Sequence, residues 1–110
     1  MARVAIPVTQ SSRAGTTLPA ATTGDATNNH SVANDGRVIL MVKNTNASST
    51  ARSITFQLTA TVDGLAVTSR VESIPAGETQ LFGPFDPNSY GSTMNVVVAH
   101  AELVINAIRV

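Results

Sequence analysis

The residues best placed to do chemistry in this 110-residue sequence are a histidine and a glutamate near its C-terminal end. His100 and Glu102 lie two positions apart, so on a β-strand their side chains would share one face and could begin a metal site. A metal ion would need at least one more ligand, from His30 or from another carboxylate. The segment His100-Ala101-Glu102 is also typical of a hairpin connection between two strands. We favour the connection and predict no metal ion and no other cofactor.

Other catalytic arrangements are missing from the sequence. The chain contains no cysteine, which excludes disulfides, thiolate metal sites and thiol nucleophiles. It has no Ser-His-Asp order, no pair of carboxylates in a catalytic setting and no glycine-rich phosphate loop. The stretch Asp86-Pro87-Asn88 carries oxygen atoms, but it offers too few of them for calcium and is typical of a turn. We therefore expect no enzymatic activity, no catalytic residue and no small-molecule substrate.

Charge and aromatic content exclude further classes of binding protein. Seven basic residues balance seven acidic ones, so the chain lacks the positive charge with which proteins hold nucleic acids or anionic membranes. Aromatic residues make up 4% of the chain, whereas sugar-binding faces and single-stranded nucleic-acid grooves need exposed rings. Residues 1–7 lack the apolar run of a signal peptide, and no stretch is apolar for long enough to cross a bilayer. We expect synthesis in the cytoplasm and no nucleic-acid or membrane partner.

Residues 37–110 show the two-residue alternation that is typical of β-strands. Strands are predicted at residues 37–43, 53–62, 65–74, 78–82, 93–99 and 103–110. Six strands at this spacing predict a small all-β domain, an antiparallel β-sandwich of the Ig-like or jelly-roll-like type.

The second and third of these strands are expected to form a hairpin. Asp63-Gly64 lies between them and favours a type I′ turn, which needs a positive φ at both positions. By alternation, the residues that should point into the core are Ile54, Phe56, Leu58, Ala60, Val62, Leu65, Val67 and Val71. Arg70 and Glu72 would then point outward.

The first third of the chain has a different composition. Residues 9–36 are mostly Thr, Ser, Ala, Asn and Gly, and they show no helical periodicity and only short strand possibilities. Such a segment cannot bury enough surface to offset the entropy that it loses on ordering. We predict that residues 1–36 form an extended N-terminal arm, ordered by lying on a partner, and that residues 37–110 form the β-sandwich domain. A tail without fixed structure is the alternative.

Three of the predicted strands are apolar on both faces, at residues 38–42, 96–99 and 103–105. A two-layer sandwich covers only one face of each sheet, so a neighbouring molecule is expected to cover the other. We therefore predict a homo-oligomer or a place in a larger particle. The candidate interface residues are Arg3, Val4, Ile6, Val8, Arg13 and Leu18 on the arm, with Ile39, Met41, Val97 and Val104 on the strands.

Several short motifs, in order along nearly the whole chain, resemble one family. They are Met1-Ala2-Arg3 with Ile6, Gly15-Thr16-Thr17, Asp25 to His30, Asn44-Thr45-Asn46, Ile74 to Thr79 and Gly83-Pro84-Phe85. In these motifs the chain resembles the small head proteins of tailed bacteriophages of actinobacteria, which are encoded near the major capsid protein. The resemblance implies a capsid decoration (cement) protein on the outer surface of the virion. It also implies two partners, the major capsid protein and further copies of this chain, with a trimer as the expected oligomer.

Two other functions stay open. A head–tail connector or tail-tube component would differ in copy number, with about six or twelve copies in a ring against hundreds for a lattice protein. A carbohydrate-binding or adhesin-like β-sandwich is the alternative from a different class. The scarcity of aromatic residues argues against that alternative.

Overall fold

The computed structural model describes residues 3–59, 61–66 and 68–110. In these residues the strands are β1 (Val4–Ala5), β2 (Val8–Gln10), β3 (Thr22–Thr23), β4 (His30–Ala33), β5 (Val38–Asn44), β6 (Arg52–Phe56), β7 (Thr61–Val62), β8 (Leu65–Ala66), β9 (Arg70–Ile74), β10 (Thr79–Phe82), β11 (Thr93–Val98) and β12 (Leu103–Arg109). A short helix, α1 (Pro87–Tyr90), lies between β10 and β11. Every strand predicted in residues 37–110 is present, and the two strands of the middle hairpin are each interrupted once.

The strands form two sheets that pack against each other. The first sheet has the order β1-β4-β11-β6-β9, and the second has the order β10-β5-β12-β2, with β3 also paired to β12. Most neighbours are antiparallel, but β1 runs parallel to β4 and β2 runs parallel to β12. β7 and β8 form a separate two-stranded ribbon. The predicted small β-sandwich is therefore confirmed, and both of its sheets are mixed rather than antiparallel.

The core between the sheets uses all four aromatic rings of the chain. Phe56 is fully buried, and its ring lies 5.1 and 5.0 Å from those of Phe82 and Phe85, measured between centroids. Tyr90 of α1 packs edge-on against Phe85. The other fully buried apolar side chains are Val32, Leu40, Val42, Ile54, Ile74, Met94, Val96, Val98, Leu103 and Ile105. Burying a large apolar side chain of this kind stabilises a fold by about 1.5–3 kcal/mol.

The middle hairpin has the predicted turn but the opposite face on its return strand. Asp63 and Gly64 have φ values of 55° and 78°, as a type I′ turn requires. Leu65 and Val71, which the alternation predicts to point inward, are 72% and 58% exposed. The inward assignment of these two residues is therefore wrong.

In β9, the buried position of its last residue decides which of its side chains point toward the core. Ile74 is fully buried, so Glu72 and Arg70, two and four positions before it, lie on the side of the sheet that faces the core. Leu65 lies on the β7–β8 ribbon, outside both sheets of the sandwich, so its exposure has a separate cause. Three further residues predicted inward lie outside what the structure describes: Ala60, Val67 and the side chain of Val62.

Residues 3–36 contribute four strands to the sandwich, which differs from the expected arm. β1 and β4 are neighbours in the first sheet, and β2 and β3 both pair with β12 in the second. The chain crosses between the sheets at Ile6-Pro7, where Ile6 is buried among the core residues. The predicted boundary at residue 36 therefore does not divide the described chain into an arm and a domain. Composition hid this because each strand adds only two to four residues to a sheet, and the segment has just two apolar side chains buried in the core, Ile6 and Val32.

Candidate interaction surface

The residues singled out for metal binding hold parts of the fold together. The His30 ring is buried, and its Nε2 accepts the backbone N–H of Asp25 at 2.9 Å. The ring hydrogen therefore lies on Nδ1, which donates to the carbonyl of Val4 at 3.1 Å. Asp86 caps α1 by accepting the N–H of Asn88 at 2.9 Å. Within the described part of the chain, no three His, Cys, Asp or Glu side chains lie close enough to share a metal ion.

The segment His100-Ala101-Glu102 joins the two sheets, which corrects the predicted hairpin. β11 belongs to the first sheet and β12 to the second, so the last two strands are not neighbours. The Glu102 carboxylate lies 2.8 Å from a guanidinium nitrogen of Arg52, on the first sheet, and accepts the side-chain N–H of Asn46 at 2.9 Å. Glu102 therefore braces the two sheets against each other.

Three carboxylates are held in the charged form by their hydrogen-bond partners. Asn46 and Arg52 donate to Glu102 and lower the pKa of its carboxyl. Two backbone N–H groups lower the pKa of Asp25, and a hydrogen-bonded guanidinium lowers the pKa of Asp35. In each case the partner favours the ionised carboxylate over the neutral acid.

We expect the protein to lose stability in acid for this reason. A carboxyl whose pKa is lower in the folded than in the unfolded protein stabilises the fold above its unfolded value, near 4, and this stabilisation is lost as the pH falls through the folded value. The urea midpoint should therefore fall steadily below about pH 4. In the variant Glu102→Gln the fall should be smaller than in the parent protein. An equal fall in both would show that Glu102 does not contribute.

Three of the candidate interface residues share the outer face of the second sheet. Ile39 and Met41 lie on β5, and Val104 lies on β12. The strand register places Leu81 beside Met41 and Ile108 beside Ile39. We call these five residues the outer stripe. Leu81 is 65% exposed and the other four are half-buried.

The segment 11–21, between β2 and β3, lies against this same face. The side chain of Asn106, opposite Met41 in the register, donates to the carbonyl of Pro19 at 3.0 Å. Leu18, the residue before Pro19, is 43% exposed. Part of the face that was expected to need a neighbouring molecule is therefore covered by the chain itself, and the Leu81 end of the outer stripe is exposed.

The remaining candidate residues lie elsewhere. Ile6 is buried and Val8 packs against the core, so both serve the fold rather than an exposed interface. Arg3 donates to the carbonyl of His30 and to Oε1 of Gln57, each at 3.3 Å. Three more candidates are partly or fully exposed at separate places: Val4, Arg13 and Val97.

The strand β10 is an edge strand that carries no charged side chain. It consists of Thr, Gln, Leu and Phe, and it is the terminal strand of the second sheet. β9, one of the two terminal strands of the first sheet, carries Arg70 and Glu72 on its core-facing side, joined by an ion pair at 2.9 Å. Inward-pointing charges of this kind discourage the addition of a further strand, and β10 carries none. Its uncharged sequence is a signal that could have identified β10 before the structure.

Comparisons with protein-family models, with curated proteins and with solved structures find no match for this chain. The β-sandwich is therefore established by the strand order of this structure alone. The described residues include no helix that is both long and apolar enough to cross a membrane.

Together, β10 and the outer stripe offer two kinds of contact. One row of backbone N–H and C=O groups on β10 faces away from its sheet, because β10 is the terminal strand. The exposed side chain of Leu81 lies on the same strand. Extended polypeptide uses both features when it adds a strand to a sheet. The surface therefore suits a protein partner.

Proposed function

We propose that this chain is a structural protein of a bacteriophage virion, a capsid decoration (cement) protein that binds the outer surface of the major capsid lattice and stabilises it. The observation that supports this proposal is the uncharged edge strand β10 with the outer stripe beside it. That surface suits a protein partner, and the resemblance of the sequence to tailed-phage head proteins points to the partner. We propose no enzymatic role, because the residues singled out for chemistry act as caps and braces.

The size of the contact suits a lattice. A strand added along the four residues of β10 would form only a few hydrogen bonds, each contributing about 0.5–1.5 kcal/mol. A single contact of this strength is weak, but contacts repeated between linked neighbours gain strength through effective concentration. Because β10 and the outer stripe carry no charged side chain, binding through them should depend little on salt.

Binding to capsid shells tests the proposal. Purified protein is mixed with expanded, undecorated shells of the phage that encodes it, and the bound copies are counted by quantitative mass spectrometry and cryo-electron microscopy. We expect on the order of hundreds of copies spread over the lattice, whereas about six or twelve at one vertex would indicate a connector or tail-tube ring. Shells that bind none of the protein would refute the decoration role.

The carbohydrate-binding alternative has less support from the structure. The aromatic rings pack against one another around Phe56, and Phe85 is only 5% exposed. A sugar-binding face needs flat exposed rings on which the sugar can stack. Clear hits on a glycan array would favour this alternative.

A further inference from the structure

One side of the sandwich is closed by residues 3–10, which we call the N-terminal clasp. Its strand β1 adds to the first sheet through hydrogen bonds from the N–H groups of Val4 and Ile6 to the carbonyls of Asn29 and Ser31, at 2.9 and 2.8 Å. Its strand β2 adds to the second sheet beside residues 107–109. Between them Ile6, 3% exposed, enters the core. The clasp is thus held by one buried side chain, by two short parallel pairings and by hydrogen bonds that Arg3 and the carbonyl of Val4 form with the rest of the chain.

The residues that contact the clasp all belong to the rest of the chain. Together they form a surface that we call the acceptor groove. The groove consists of the backbone of residues 29–31, the side chains of His30 and Gln57, and β12 residues 107–109. Each of these groups meets a defined partner on the clasp, including the carbonyl of Val4 and the guanidinium of Arg3. The groove is therefore specific for this sequence, and every copy of the chain carries both the groove and the segment that fits it.

The hinge between the clasp and the next strand, residues 11–21, is longer than its path requires. Gln10 pairs with Arg109 and Thr22 pairs with Ile105, four positions apart on β12. That separation is about 13 Å, whereas eleven extended residues reach about 36 Å. Residues 11–20 are all exposed. The hinge could therefore extend by more than 20 Å, close to the 25 Å thickness of the molecule.

We propose that the clasp exchanges between copies of this chain, so that residues 3–10 of one copy dock in the acceptor groove of another. A clasp forms the same contacts in its own groove as in the groove of another copy. The equilibrium between these two states therefore depends on protein concentration and on strain in the hinge, because no new interactions are formed. A slack tether of this length presents the clasp to its own groove at an effective concentration of about a millimolar. Copies held side by side at that local concentration exchange their clasps and become linked to one another.

Two single-cysteine variants test the exchange, because the chain has no cysteine of its own. Ala5 and Ser31 are partners in the parallel pairing of β1 and β4, so Ala5→Cys and Ser31→Cys place thiols within disulfide reach. One variant is isotopically labelled, the two are mixed and oxidised, and mass spectrometry counts mixed disulfide dimers. A mixture of Ala5→Cys with Ser73→Cys gives the background from random collisions, because Ser73 lies on β9 and pairs with β6. The double variant Ala5→Cys/Ser31→Cys at low concentration checks that the two thiols can join within one chain.

At about a millimolar of protein we expect the first mixture to give about tenfold more mixed dimer than the background, falling to background at micromolar concentration. If the double variant forms its disulfide within one chain, a yield of mixed dimer equal to the background at the high concentration would overturn the proposal. A double variant that does not close would overturn it too, because the pairing of β1 with β4 would then be absent. This experiment uses no capsid shells, so its result does not depend on the proposed function. If the clasps exchange but the protein does not bind shells, the proposed function is refuted and the exchange of the clasp stands.

Discussion

Replacing Ile6 by alanine is expected to lower the free energy of unfolding by about 2–5 kcal/mol. The side chain is 3% exposed and belongs to the core between the sheets, so its removal leaves a cavity as well as losing apolar burial. A domain of this size is usually stable by about 5–15 kcal/mol, so this single change could remove a large part of its stability. Urea unfolding followed by circular dichroism measures the loss.

Val4→Ala is the matched control, because Val4 lies two residues away on the same clasp and is 38% exposed. Its backbone hydrogen bonds to Asn29 and His30 are unaffected by the substitution. The expected cost is therefore about 0.5 kcal/mol or less, as for other surface changes. Equal costs for the two variants would contradict the placement of Ile6 in the core.

The same packing changes the expected result of deleting the N-terminal segment. For an arm lying on a partner, removal would leave the sandwich intact, whereas here it removes β1, β2 and the Ile6 anchor. The acceptor groove would then expose core residues to water. We therefore expect the truncated protein to unfold at a lower urea concentration than the parent protein. Adding a synthetic peptide of residues 1–12 should restore part of the lost stability.

The alternation of apolar residues predicted the strands of residues 37–110 because it is a local property of each strand. Asp63-Gly64 predicted its turn for the same reason, since the required φ values belong to those two residues. Pairing partners are not local. Val8 pairs with Ala107, about a hundred positions away, and the strand that contains Val8 has only three residues. Nothing in such a short polar stretch distinguishes an edge strand from a loop.

The position of the candidate residues on the outer face was predicted in part, for a related reason. Ile39, Met41 and Val104 were found because they interrupt the polar outer positions of otherwise regular strands. Ile6 has the same apolar character and lies in the core, because the crossing of the chain between the sheets turns it inward. Side-chain type therefore indicated that a residue would be buried, and only the fold could decide whether the chain itself or a partner would bury it.

Replacing Leu81 by arginine should strongly reduce binding to capsid shells while leaving the protein folded. Leu81 is 65% exposed on the edge strand, so the free protein can keep the arginine in water. A partner that pairs with β10 and also covers the outer stripe would instead have to bury or displace the charge, at a cost of about 2–3 kcal/mol, which is about 30- to 140-fold in affinity at each site. Because each copy on the lattice would carry the same defect, the loss in occupancy should be visible by gel after sedimentation of the shells.

Leu65→Arg separates this effect from a general effect of added charge. Leu65 is 72% exposed on the separate β7–β8 ribbon, and the substitution changes the net charge equally. If β10 is the contact, the Leu65→Arg variant should occupy the shells as fully as the parent protein does. Both variants should unfold at the urea midpoint of the parent protein. Parental occupancy with Leu81→Arg would place the contact away from the Leu81 end of the outer stripe, because a partner that covers this end would have to bury an unpaired guanidinium and lose affinity. The comparison therefore depends on a single property of β10, its lack of charge, which is also what distinguishes it from the charged edge strand β9.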